Sequence, residues 1–204
     1  MVLALGVGMA SAEPVKIAAL GDSLTAGYGL FPGQGFVPQL GKWLKENGAE
    51  VKLQNAGVSG DTTQGGLARI DWTLTPDVDA MIVELGGNDL LRGIDPALSR
   101  ANLEAILQRA RDLDVPVMLV GLQAPGNYGA DFKREFDAMY PDLAASYDAV
   151  YAEDFFAGLA QGNGSRTDYF QADGIHPNAK GVALIVDGLG PKVLELLARV
   201  EGKS

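Results

Sequence analysis

The sequence contains one histidine, His176, in the run Asp173-Gly174-Ile175-His176-Pro177. Imidazole is the side chain that ordinarily titrates near neutrality, so any general acid–base step of that kind must fall on His176. Asp173, three residues upstream, can sit within one turn of the ring, accept from Nδ1–H and leave Nε2 free as a base. The same run also reads as a charged turn before a helix. A catalytic reading therefore needs a nucleophile and donors for an oxyanion elsewhere in the chain.

Three further clusters offer them. Gly21-Asp22-Ser23-Leu24 puts a serine where a strand hands over to a helix, and there unpaired N–H groups and the helix dipole favour developing negative charge. Ser23 can thus act as nucleophile and as oxyanion donor, although a plain N-cap is the commoner role for a residue placed like Ser23 or Asp22. In Asn55-Ala56-Gly57-Val58-Ser59-Gly60-Asp61-Thr62, Gly60 lacks a side chain that would keep its N–H from a substrate oxygen; an ordinary tight turn is the alternative. Gly86-Gly87-Asn88-Asp89 delivers a carboxamide with two N–H donors, or else an Asx-turn. The chain has no cysteine, which removes thiol nucleophiles, thiolate metal sites and disulfides. With a single histidine, a His-rich metal centre is excluded as well.

The elements that must position these residues follow from periodicity. Strand-length apolar runs at 15–20, 51–55, 81–85, 117–122 and 149–151 alternate with amphipathic stretches, which argues for βαβ units and a mostly parallel sheet covered on both faces. Helices are expected from Phe36 to Gly48, from Asp61 or Thr62 to Ile70, from Asp95-Pro96 to Leu113, from Asp131 to Tyr147 with a bend at Tyr140-Pro141, and from Asn178 to Val200. Residues 161–169 are polar and glycine-containing and read as loop. Ser23, Gly60 and Asn88 each follow a strand. In an open α/β sheet the carboxyl ends of the strands share one rim, where such folds bind ligands.

Taken together, Gly-Asp-Ser-Leu-Thr-Ala-Gly-Tyr at 21–28, Ser-Gly-Asp-Thr-Thr-Gln at 59–64, Glu-Leu-Gly-Gly-Asn-Asp at 84–89, Gly-Asn-Tyr-Gly at 126–129 and Asp-Gly-Ile-His-Pro-Asn at 173–178 resemble the SGNH or GDSL hydrolase superfamily. Within it they are similar to the thioesterase I, lysophospholipase L1 and arylesterase group. The resemblance runs from about Val15 to about Val182. It implies a three-layer αβα sandwich with a five-stranded parallel sheet, Ser23 as nucleophile, His176 as base and Asp173 as its orienter. The implied oxyanion hole is Ser23 N–H, Gly60 N–H and the Asn88 side chain. The implied activity is hydrolysis of carboxylic esters, and of thioesters, through an acyl-serine, with no metal or cofactor. The Gly-x-Ser-x-Gly elbow of α/β-hydrolases is absent.

Composition narrows the partners. At 204 residues, with 47% hydrophobic and 21% charged residues, the chain fits one globular domain over 13–204. A net charge of −10 without a Lys/Arg run disfavours nucleic acid and favours small neutral or zwitterionic substrates. No phosphate-loop motif is present, and Gly27-Tyr28-Gly29 lacks the third glycine of a dinucleotide fingerprint. A carbohydrate acetylesterase of the same superfamily and a non-catalytic binding module on the same fold are the competing readings.

Residues 1–12 form an apolar run ending in Ala10-Ser11-Ala12, a signal-peptide pattern without its basic n-region and too short to span a membrane; a mobile tail is the alternative. Export to a periplasm or the medium is expected, with a cytoplasmic location as the alternative. Loops 25–35, 123–130 and 155–172 share the catalytic rim, which makes Phe31, Tyr128, Tyr169 and Phe170 candidates for the substrate pocket. The resemblance adds Pro125 to that pocket. Ala124 stands before it where the group commonly has a larger apolar residue.

Overall fold

A computed structural model describes residues 13–202. The apolar segment 1–12 lies outside the described residues. Five strands, β1 (Val15–Gly21), β2 (Val51–Gly57), β3 (Ala80–Glu84), β4 (Val117–Val120) and β5 (Val150–Ala152), pair in the order β2-β1-β3-β4-β5, and every pairing is parallel. The strands buried on both faces read as continuous apolar runs, as in Ile17-Ala18-Ala19-Leu20 and Met81-Ile82-Val83. The edge strand β2 keeps Lys52 and Asn55 exposed.

Helix α2 (Phe36–Glu46) packs on α8 (Ala179–Glu201) on one side of the sheet, while α3 (Thr63–Ala68) and α7 (Ala130–Ser146) both pack on α6 (Pro96–Asp112) on the other. This is the expected three-layer sandwich. Local chemistry explains the helix starts. The Asp95 carboxylate accepts from Ala97 N with Pro96 in the first turn, and Asn178 Oδ1 accepts from Lys180 N and Gly181 N. On α6, Ser99, Leu103, Ile106, Leu107 and Ala110 form the buried stripe.

Several boundaries depart from the periodicity. The helix after Thr62 stops at Ala68 and restarts as α4 (Ile70–Thr73), because the backbone of Arg69 leaves helical angles (φ −119°, ψ 12°) while its side chain reaches back to the sheet. Helix α7 runs on through Pro141 as one element, the neighbouring Tyr140 being buried and anchored by its hydroxyl to Leu85 O at 3.0 Å. The segment 161–169 is not wholly irregular: 3₁₀ turns occupy Ala157–Gln161 and Arg166–Tyr169, the second capped reciprocally by Ser165 and Asp168. Two short helices, α1 (Ser23–Ala26) and α5 (Gly87–Leu91), start at the serine and carboxamide motifs themselves. Among the described residues no helix is long and apolar enough to cross a membrane.

Candidate active site

The strand order decides where the motifs meet. From β1 the chain moves outward to β2 and then returns across to β3 on the other side of β1, so the sheet has its topological switch point at the carboxyl end of β1. Ser23 follows β1, Gly60 follows β2 and Asn88 follows β3. All three line one depression of about 310 Å³, together with Asp22, Tyr28, Leu91, Ile175 and His176.

His176 Nε2 lies 2.8 Å from Ser23 Oγ, and its Nδ1 lies 2.7 Å from Asp173 Oδ2. The carboxylate favours the tautomer with its proton on Nδ1, which leaves Nε2 to accept from the serine hydroxyl. The other oxygen, Asp173 Oδ1, accepts from Ile175 N at 2.9 Å and His176 N at 3.0 Å. The backbone N–H of His176, its ring and the Ile175 N–H together hold the Asp173 carboxyl down at about 2.

Two N–H groups of the site are free for an oxyanion. Asp22 caps α1 by accepting from Leu24 N at 3.0 Å and so leaves Ser23 N–H without an acceptor among the described residues. Gly60 sits at φ +88°, a conformation that disfavours a side chain, and its N–H likewise has no acceptor there, while its carbonyl accepts from Arg92. Asn88 is different. Its Nδ2 donates to Asp22 Oδ2 at 3.1 Å and to Asp61 O at 2.9 Å. An oxyanion reaching this carboxamide must share one of those hydrogens. The two donors that the sequence offers are thus already committed to protein acceptors.

Below the serine lie two buried acids. Burial pushes the Asp22 carboxyl up to about 6, opposed by the bonds from Leu24 N–H and Asn88. Glu84, wholly buried at the end of β3, is pushed well above the usual carboxylate range by burial first and by the Asp22 charge second. Its Oε2 accepts from Thr25 Oγ1 at 2.9 Å, and its Oε1 has no partner among the described residues. Asp89, next to Asn88, is also buried but fully engaged: it accepts from Thr63 N, Thr63 Oγ1 and Ser99 Oγ.

The pocket candidates separate. Pro125 lines a second depression of about 660 Å³ that shares Gly87, Leu91 and Ile175 with the first and is walled by Leu24, Leu90 and Leu122. Ala124 lines it as well. Phe31 is 78% exposed and lines neither depression. Tyr128 donates to Leu91 O and packs with its ring tilted against Phe132, Tyr169 lines an adjoining cleft that shares Asp154, Phe156 and Arg166 with the second depression, and Phe170 is buried under the Arg166 guanidinium. Aromatic character in the right loop did not distinguish lining from packing.

Residues that motif reading passed over complete the site. The Tyr28 ring lies 4.7 Å from the His176 ring, and Gln171 Nε2 ties Tyr28 O (2.8 Å) to Pro177 O (3.0 Å) while Gln171 N donates to His176 O. The glycines flanking Tyr28 were the available signal: Gly29 has φ +73°, and a Cβ there would meet Gln171 Oε1 at 2.2 Å. Arg69 had no comparable signal. Among the described residues no group of three or more His, Cys, Asp or Glu side chains is arranged to hold a metal ion.

The comparisons agree with this arrangement in extent and fold. The chain is 37% identical over 196 residues to the esterase TesA of Pseudomonas aeruginosa, covering 96% of each protein. It is 34% identical over 180 residues to the thioesterase 1/protease 1/lysophospholipase L1 of Escherichia coli, covering 87% of this chain and 83% of that one. Among solved structures, AlinE4, described as an SGNH-hydrolase family esterase, superposes with a TM-score of 0.75 at 44% identity over 92% of this chain and 98% of its own. Since the profile of the GDSL-like Lipase/Acylhydrolase family also matches residues 19–184, which include all of the clustered motifs, the chain belongs to that family.

Proposed function

We propose that the protein is a serine hydrolase of carboxylic esters, and of thioesters, that works through an acyl-serine intermediate. The observation that carries the reading is the continuous relay from Ser23 Oγ to His176 Nε2 (2.8 Å) and from His176 Nδ1 to Asp173 (2.7 Å), opening on a depression beside two free N–H groups. Ser23 Oγ attacks the acyl carbonyl as His176 takes its proton, and Asp173 holds the ring and the imidazolium that forms. Ser23 N–H and Gly60 N–H receive the oxyanion, and Asn88 joins them by sharing a hydrogen now directed at Asp61 O or Asp22. His176 then protonates the leaving alkoxide or thiolate, and water activated by the same ring releases the acid.

The adjoining groove supports an acyl chain more than a sugar, since its lining is mostly apolar, with Leu24, Leu90, Leu122, Pro125 and Ile175 beside the polar Gln123, Lys133, Asp154 and Arg166. That favours an esterase of the thioesterase and arylesterase type over a carbohydrate acetylesterase. Export to the periplasm or medium completes the proposal and rests on residues 1–12 alone.

Hydrolysis of p-nitrophenyl esters by the intact chain tests the reading. Ser23→Ala is expected to lower kcat by roughly three or more decades while the melting temperature holds, since loss of the nucleophile disables the covalent route. Activity retained within tenfold overturns it.

A further inference from the structure

We propose that Arg69 is a positioning residue for the oxyanion hole, an inference that rests on the ester-hydrolase reading of the same site. Its guanidinium is mostly buried, with 21% of the side chain exposed, and spends its planar fork on three separate elements. Nη2 donates to Gly21 O at 2.9 Å, at the carboxyl end of β1, two residues before the nucleophile. Nη1 donates to Ala56 O at 2.6 Å, near the end of β2. Nε donates to Asp61 Oδ2 at 2.6 Å, in the residue that follows Gly60.

Asp61 carries the connection onward. Its carbonyl accepts from Asn88 Nδ2 at 2.9 Å, and its N–H donates to Val58 O at 3.0 Å, closing the turn that holds Gly60 at positive φ. One side chain therefore fixes the ends of two strands and the loop from which the Gly60 donor projects, and through Asp61 it fixes the Asn88 donor. No substrate contact is involved, because Arg69 is absent from the lining of the catalytic depression. The reason such a strut matters is distance: donors placed even about 1 Å off the developing oxyanion can lose on the order of a hundredfold in rate. The break between α3 and α4 at Arg69 is the local backbone feature that accompanies this reach.

The experiment is a double-mutant cycle on kcat and KM for p-nitrophenyl ester hydrolysis, with Arg69→Met and Asn88→Ala alone and together. Arg69→Met is expected to lower kcat about ten- to hundredfold with KM within about threefold, and to cost several-fold less once Asn88 is already Ala, the remainder coming from the Gly60 loop that Arg69 also holds. Methylguanidinium is expected to restore at least about tenfold in kcat to Arg69→Ala, and methylammonium is expected to fail, because only the planar fork spans the three acceptors. Should the Arg69 variants not fold, Asp61→Ala in the same cycle with Asn88→Ala decides, with the same kcat-only, non-additive loss expected. Additive effects, a loss carried by KM, or kcat within threefold of the parent overturns the positioning role. Failure of the ester-hydrolase reading is a distinct result: activity that survives Ser23→Ala.

Discussion

Asp173 holds His176 twice, once through the ring and once through the backbone: Oδ2 faces Nδ1 at 2.7 Å, and Oδ1 accepts the residue's own N–H at 3.0 Å. The second contact fixes the loop even when the first is altered. Asp173→Asn can keep the backbone bonds through its carbonyl oxygen, yet it presents NH2 to Nδ1 and so opposes the useful tautomer. The expected result is a kcat lower by about 10²–10³-fold, a smaller loss than Ser23→Ala produces, with little change in melting temperature. A loss equal to that of Ser23→Ala would make the carboxylate indispensable.

Glu84 links the site to pH through stability. Its carboxyl is raised by burial, so the native chain keeps a proton that the unfolded chain releases above the ordinary glutamate value of 4.5. Stability should therefore fall as pH rises from about 4.5 through the raised native value. Glu84→Gln keeps an acceptor for Thr25 and removes the titration. Thermal melts at about pH 4 and about pH 8 should show the variant gaining on the parent at the higher pH; a constant offset would show that no proton is linked to folding at this position.

Gln171 is expected to act on the base from behind. Its side-chain Nε2 bridges Tyr28 O and Pro177 O, so Gln171→Ala unties the two loops that bring Tyr28 and His176 within 4.7 Å and leaves only the backbone bond from Gln171 N to His176 O. A fall of about tenfold in kcat is expected, matched by Gly29→Ala, whose Cβ would strike Gln171 Oε1 at 2.2 Å. Tyr28→Phe should retain most activity, since it is the ring that meets the imidazole. Normal kcat in Gln171→Ala would show that the loops hold without the bridge.

Pro125 offers a test of the groove. It lines the apolar depression but stands apart from Ser23 and His176, so Pro125→Trp should fill space that a longer acyl chain needs. Across p-nitrophenyl esters of increasing length, kcat/KM is expected to fall more than about tenfold for an octanoyl ester and to stay within about threefold for acetyl. Equal loss at every length would place the acyl chain elsewhere.

Much of the fold was legible because parallel strands buried on both faces must be apolar throughout. Residues 17–20 and 80–83 carry that pattern, and Asp95-Pro96 and Asn178 mark helix starts by chemistry that acts locally. The segment around Arg69 was not legible, since nothing in Gly65-Gly66-Leu67-Ala68-Arg69-Ile70 states that the arginine turns back to bond two strand ends. The placement of Phe31 and Tyr169 was not legible for a related reason: an aromatic residue on a rim loop satisfies the same pattern whether it faces the site, a neighbouring cleft or water.

By itself the sequence determined the available chemistry: one imidazole, no thiol, an aspartate three residues from the ring, and a serine, a glycine and an asparagine each placed after a strand. These are properties of residue type and near spacing, which local rules govern. Only the tertiary structure decided that they meet. Ser23 and His176 are 153 residues apart and come within 2.8 Å because the β2-β1-β3 order gathers three loops at one rim and α8 returns the last loop to it. It also decided that Asn88 spends both hydrogens on Asp22 and Asp61 O and that Arg69 reaches Asp61 and the two strand ends, since partners distant in sequence are chosen by which acceptors the packed loops bring within reach.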